Sequence, residues 1–89
     1  MVKAALFLGH GQLREGKLEE AAQSFTSAIE AAEASEATGL LLAVAYSQRG
    51  EAREKQGRTA EARADYEEAL KRVPDHAPAR EGRSRLTSD

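Results

Sequence analysis

The stretch Ala45–Pro74, AYSQRGEAREKQGRTAEARADYEEALKRVP, decides how the whole chain reads. Ala62, Tyr66 and Ala69 follow one another at spacings of four and three, which places all three on one helical face. Gly57 stands where a helix has to end and the chain reverse, and glycine enters the left-handed conformation such a turn needs without steric cost. Gly50 falls inside a helix, where glycine costs about 1 kcal/mol relative to alanine. A position without a side chain lets the partner helix approach closely, which offsets that cost. Pro74 stops the second helix. The segment therefore predicts a helix–turn–helix hairpin.

The pattern also occurs upstream. Gly9, Gly16, Ala21, Phe25 and Ala28 match Gly50, Gly57, Ala62, Tyr66 and Ala69, every pair separated by 41 residues. Five matches in one register define an internal repeat. The hydrophobic periodicity and the breakers then predict five helices, roughly 2–15, 18–34, 39–56, 59–73 and 77–86. Glu19 and Glu20 place negative charge at the start of the second helix. Thr59 reads as the N-cap of the fourth and Asp75 as that of the fifth, with Pro78 in the first turn of the fifth. Glu51/Lys55, Glu54/Arg58, Glu67/Lys71 and Glu68/Arg72 are set four apart in the favourable Glu-first order and read as solvated helix faces. The expected fold class is all-α, antiparallel helical hairpins wound as an α-α superhelix with a C-terminal capping helix.

Composition agrees. In a chain of 89 residues the apolar content is largely Ala and Leu, with two Tyr, two Phe and no Trp, which favours helix over sheet. There is no cysteine, excluding disulfides, thiolate metal sites and a thiol nucleophile, and fitting a reducing compartment; a cytoplasmic location is expected. Residues 1–39 carry three basic and six acidic side chains, residues 40–89 ten and nine, so neither half has the one-sided field of a nucleic-acid binder. No apolar run approaches the roughly 20 residues needed to cross a bilayer. The opening Met1–Leu8 faintly mimics a signal peptide, but its apolar stretch is short and no cleavage signature follows.

On Gly50, Gly57, Ala62, Tyr66, Ala69 and Pro74 the segment Ala45–Pro74 resembles a tetratricopeptide repeat, and Val2 to about Glu33 resembles a second, weaker copy. The resemblance covers about 60 to 75 residues and implies one domain: repeat one about 2–34, repeat two about 39–74, capping helix about 77–86. The usual repeat is about 34 residues long; the extra seven are expected in longer helices around Ser35–Leu42 or in their connection. Gln12 and Arg53 stand where a large aromatic is common. Arg49 is expected to lay its stem over the core with its charge reaching water.

Chemical motifs give way to this reading. Gly11–Lys17 has the G-x-x-x-x-G-K spacing of a phosphate-binding loop, with Ala4–Leu8 as the strand before it, yet Leu18 stands where Ser or Thr is required and no parallel sheet is available. His10 and His76 lack a second ligand at helical spacing. Glu19/Glu20 and Glu67/Glu68 read as solvated surface. The basic cluster Lys71, Arg72, Arg80, Arg83 and Arg85 lacks aromatics for stacking on bases and reads as a solubilising cap or a rim for an acidic partner. Neither an enzyme activity, nor a cofactor, nor a metal is expected.

The resemblance implies that the first helix of each hairpin lines a concave groove for a peptide. By position it nominates Lys3, Leu6, His10, Leu13, Ser47, Gln48, Glu51, Glu54 and Lys55. The partner expected is a protein or peptide, without nucleic acid or membrane. The carboxylate clamp of co-chaperone domains is not expected, because Leu6 and His10 occupy the corresponding places and the chain contains no Asn. The alternative is structural. Two repeats fall short of the three that solenoids usually need, and the first helix begins without a capping residue. The run Leu40–Leu41–Leu42 adds apolar surface. Weak self-association, or membership of a longer array, is the second expectation.

Overall fold

The computed structural model of the chain describes residues 2–35 and 39–87. These residues form five helices in the order α1 (Val2–Arg14), α2 (Leu18–Ala34), α3 (Gly39–Lys55), α4 (Thr59–Arg72) and α5 (Ala77–Thr87). No strand occurs among them. Ala4–Leu8, the would-be strand of a phosphate loop, is helical. Both turn glycines adopt the left-handed conformation, Gly16 and Gly57 each at φ 81°. The molecule measures 38 × 28 × 17 Å, and the short dimension suits two layers of helices at the usual spacing of 8–10 Å.

The longer period has a simple origin. α2 has 17 residues where α4 has 14, and α3 begins four residues ahead of Ala43, the counterpart of Val2 at which α1 begins. The extra seven residues, about two turns, are thus divided between the end of α2 and the start of α3. Residues 36–38 of the expected connection lie outside the described residues. Leu42 packs into the core between α1, α2 and α3, whereas Leu40 remains exposed.

Each hairpin closes on one ring. Phe25 of α2 is fully buried against Gly9, and Tyr66 of α4 against Gly50. A Cβ built on Gly9 would stand 2.6 Å from Phe25, and one on Gly50 2.9 Å from Tyr66. The tyrosine has a third neighbour of the same kind. Gly82 of α5 lies so close that a Cβ there would overlap the ring. Alanines complete the joints, with Ala45 of α3 meeting Ala28 and Ile29 of α2, and Ala79 of α5 meeting Ala62 and Ala69 of α4.

At the places where a large aromatic is common, the two hairpins use polar pairs. Gln12 accepts a hydrogen bond from Ser24 at 2.7 Å. Forty-one residues on, the same two places hold Arg53 and Asp65, joined at 3.1 Å. Asp65 is 2% exposed and also accepts two hydrogen bonds from Arg49, at 2.8 and 3.1 Å. Arg49 reaches back to Thr26 of α2 at 3.1 Å. The expectation that its charge escapes to water is therefore corrected: a buried carboxylate takes it, and burial, which pulls the guanidinium pKa down, is outweighed by the hydrogen bond and the negative charge of Asp65 acting with the surrounding groups. Arg49 joins α2, α3 and α4 in one network.

Three local expectations also change. α4 starts at Thr59 itself, with Arg58 at the cap position and no side-chain cap, because the chain leaves the Gly57 turn directly into the helix. α5 starts at Ala77, so His76, not Asp75, precedes it, and the His76 carbonyl accepts the bond from the Arg80 amide. Arg58 lies near Glu19 and Glu61 rather than Glu54. Glu68/Arg72 pairs as expected, at 2.7 Å.

The polar core yields a test by transplantation. Asp65→Ser takes the carboxylate from Arg49, leaving it only Thr26, and leaves Arg53 only Glu61 at 3.6 Å; it is expected to destabilise the fold by about 3 kcal/mol, the usual cost of breaking a buried pair from one side. Adding Arg49→Leu and Arg53→Gln installs the neutral set that hairpin one carries at Leu8, Gln12 and Ser24. Urea unfolding followed by circular dichroism should show the triple variant regaining most of that loss. If it were no more stable than Asp65→Ser, the equivalence of the two hairpins would be wrong.

Candidate functional site

α3 touches both hairpins and α5, so its outer face borders α1 on one side and α5 on the other. Three adjoining recesses follow this layer. The first is lined by Lys3, Leu6, Phe7, His10 and Gln48. The second, of about 350 Å³, shares His10 and Gln48 and adds Ser47, Glu51, Tyr66, His76 and three residues of α5: Pro78, Glu81 and Arg85. The third shares Glu51 and Arg85 and adds Glu54 and Lys55. Shared walls make them one continuous furrow across α1, α3 and α5.

Eight of the nine residues nominated from the sequence line this furrow: Lys3, Leu6, His10, Ser47, Gln48, Glu51, Glu54 and Lys55. Leu13 does not. It is 7% exposed and packs with Ala21, Ala22 and Phe25 in the core. The reason lies in the ring it covers. Phe25 has no polar atom and takes a leucine, whereas Tyr66 needs a partner for its hydroxyl, and at the place equivalent to Leu13 hairpin two supplies Glu54. The Tyr66 hydroxyl donates to Glu54 Oε1 at 2.7 Å.

Glu54 is a structural member of the furrow wall. Arg85 of α5 grips it with two hydrogen bonds of 3.0 Å, from Nε to Oε2 and from Nη2 to Oε1. The bonds from Arg85 hold the Glu54 carboxyl below its ordinary range; burial opposes this and the Tyr66 bond assists it. In return burial, and then Glu54, push the Tyr66 phenol well up, and the Arg85 guanidinium is raised by its bonds to Glu54. This clasp, a bond from Arg63 to the Leu86 carbonyl at 2.9 Å and the seat of Gly82 on Tyr66 hold α5 against the second hairpin. Near the other end of α5, the Ser47 hydroxyl donates to the Val44 carbonyl at 3.1 Å and lies 3.2 Å from Nε2 of His76. Ser47, 4% exposed, forms floor rather than rim.

The rim has a different character. Phe7 is 83% exposed and extends the apolar shelf begun by Leu6. His10, Glu51 and Glu81 are exposed, and among the described residues neither Glu51 nor Glu81 takes part in an ion pair. No group of His, Asp and Glu able to hold a metal ion occurs among the described residues.

Reasoning from the sequence misses Phe7, His76, Glu81 and Arg85. Two signals are present. Phe7 is the 41-residue counterpart of Gln48, which is nominated. Glu81 and Arg85 follow Ser47 and Glu51 by 34, the usual length of such a repeat. His76 gives no signal, because its place depends on how the chain turns after Pro74.

The tetratricopeptide repeat family pattern matches residues 1–75. The chain belongs to the tetratricopeptide repeat family, whose members serve in general as protein–protein interaction modules. No curated protein and no solved structure matches the chain. No helix among the described residues is long and apolar enough to cross a membrane.

The clasp sets a pH response. A carboxyl with a lowered native pKa stabilises the fold fully above its unfolded value, here 4.5, and that contribution disappears as pH falls through the lower native value. Thermal melts from about pH 6 to about pH 3 should therefore show a loss of stability that is smaller in Glu54→Gln than in the parent. Equal slopes in the two proteins would remove Glu54 from the acid response. Tyr66→Phe, which deletes only the hydroxyl, is expected to cost about 1 kcal/mol.

Proposed function

We propose that this chain is a non-catalytic module that receives a peptide segment of a partner protein in the furrow across α1, α3 and α5. The observation that carries this reading is the continuity of the furrow. It joins an apolar shelf at Leu6 and Phe7 to a polar recess at Ser47, Gln48 and Glu51, and α5 closes its far side. A peptide laid along such a surface meets side chains from three helices held by a common core, a rigid platform that lowers the entropy cost of recognition. In this reading the two hairpins are the repeats of one domain and α5 is its cap. The absence of cysteine suits work in the cytoplasm.

A second, structural reading draws on Leu8. It is 57% exposed, at the place where Arg49, its counterpart, packs back onto α2. Another copy, or a preceding helix of a longer array, would cover it.

Selection of displayed random dodecapeptides on the immobilised chain separates the two. Enriched peptides should lose at least about tenfold in affinity on Phe7→Glu combined with Glu51→Lys, both exposed positions, and keep it on Leu8→Glu. Peptides indifferent to the furrow variant but abolished by Leu8→Glu would transfer the function to the outer face of α1. Failure to enrich any peptide, together with a dimer reversed by Leu8→Glu in sedimentation, would establish the structural reading.

A further inference from the structure

The central recess of the furrow holds two carboxylates, and its one guanidinium is already engaged. Arg85 is the guanidinium of the central recess, and its Nε and Nη2 are both bonded to Glu54. Glu51 on α3 and Glu81 on α5 face the same recess with no ion pair among the described residues. The remaining cations stand apart, Lys3 in the shelf recess and Lys55 in the third. Positive charge thus brackets a central stretch of uncompensated negative charge, and a large exposed aromatic lies beside it.

Resting on the proposed peptide-binding role, we infer that the occupant is a cationic segment of a partner protein, one that sets a Lys or Arg next to an apolar residue. Its cation enters between Glu51 and Glu81, and its apolar neighbour lies on Phe7 and Leu6. Like-charge repulsion from Glu51 and Glu81 rejects an acidic segment at the same place. Rim charges of this type govern encounter rate and choice of partner more than total affinity, so recognition weakens with salt.

The test uses the full chain labelled with ¹⁵N and two pools of blocked hexapeptides. One pool fixes Lys at the two central positions and the other fixes Glu; both vary Ala and Leu elsewhere. The Lys pool should shift the amides of His10, Gln48, Glu51 and Glu81 and lose its effect as salt is raised, while the Glu pool leaves them unmoved. Glu51→Gln and Glu81→Gln should each weaken the apparent affinity about threefold and together about tenfold, with Glu67→Gln, on α4, as an unaffected control. If the Glu pool moves the same amides as strongly, or the double variant keeps its affinity, the cationic assignment is wrong and the peptide furrow stands. If neither pool moves them, both readings fall. If the same amides are displaced by raising the concentration of the peptide-free chain, a second copy is the occupant and the inference is overturned.

Discussion

Everything in this molecule depends on an aromatic ring lying on a helix backbone at a position that carries no side chain. Gly9 and Phe25 make that contact in the first hairpin, and Gly50 and Tyr66 in the second. The second ring is used twice, because α5 presents Gly82 to it from another side. Two helices that meet through glycine approach more closely than two that meet through alanine, and the alanines at 21, 28, 62 and 69 fit the narrow joints that result. The furrow is the other face of this arrangement. α1, α3 and α5 are aligned by what lies behind them, so the surface they share is fixed by contacts a ligand never touches.

The hairpins share a plan but differ in chemistry, in a coordinated way. Phenylalanine goes with leucine at 25 and 13; tyrosine goes with glutamate at 66 and 54. Serine goes with glutamine at 24 and 12; aspartate goes with arginine at 65 and 53. In each case a change in one partner leaves a polar atom in need of a mate, and the mate appears at the equivalent place on the facing helix. A buried hydroxyl or carboxylate without one would cost more than the small net gain of a made hydrogen bond. The charged version carries out a task the neutral one does not. Glu54 reaches beyond its own hairpin to Arg85, and Arg49 reaches back to Thr26, so the second hairpin binds its neighbours on both sides.

These pairings explain what can be read from the sequence and what cannot. The five helices, the two left-handed glycines and the role of Gly50 are legible, because backbone geometry and periodicity act locally and leave their mark in spacing. Most of the furrow follows, since a repeat carries the same face forward. Leu13 departs from its expected place because side-chain chemistry outweighs position within the repeat: a leucine opposite a phenylalanine belongs with the ring. Arg49 departs for the converse reason. Its partner Asp65 lies on the next helix, and nothing in the local pattern marks that carboxylate as buried. The cap of α4 falls one residue before the expected one, the scale on which turn geometry overrides capping preference. α5 is legible as a helix, but its contribution to the furrow becomes visible only when the ordinary repeat length is applied beyond Pro74.

The dependence on ring-to-backbone contact can be measured with three alanines. In a helix, Gly→Ala gains about 1 kcal/mol when the space is open and loses about 1–3 kcal/mol when the methyl must displace a packed ring. A Cβ added at Gly11 would meet nothing within 4 Å, while one at Gly9 or Gly50 would meet Phe25 or Tyr66. Equilibrium urea unfolding of the three single variants should show Gly11→Ala more stable than the parent, and Gly9→Ala and Gly50→Ala both less stable. If all three were stabilised alike, the glycines would be incidental, and the hairpins would be held by something other than the rings.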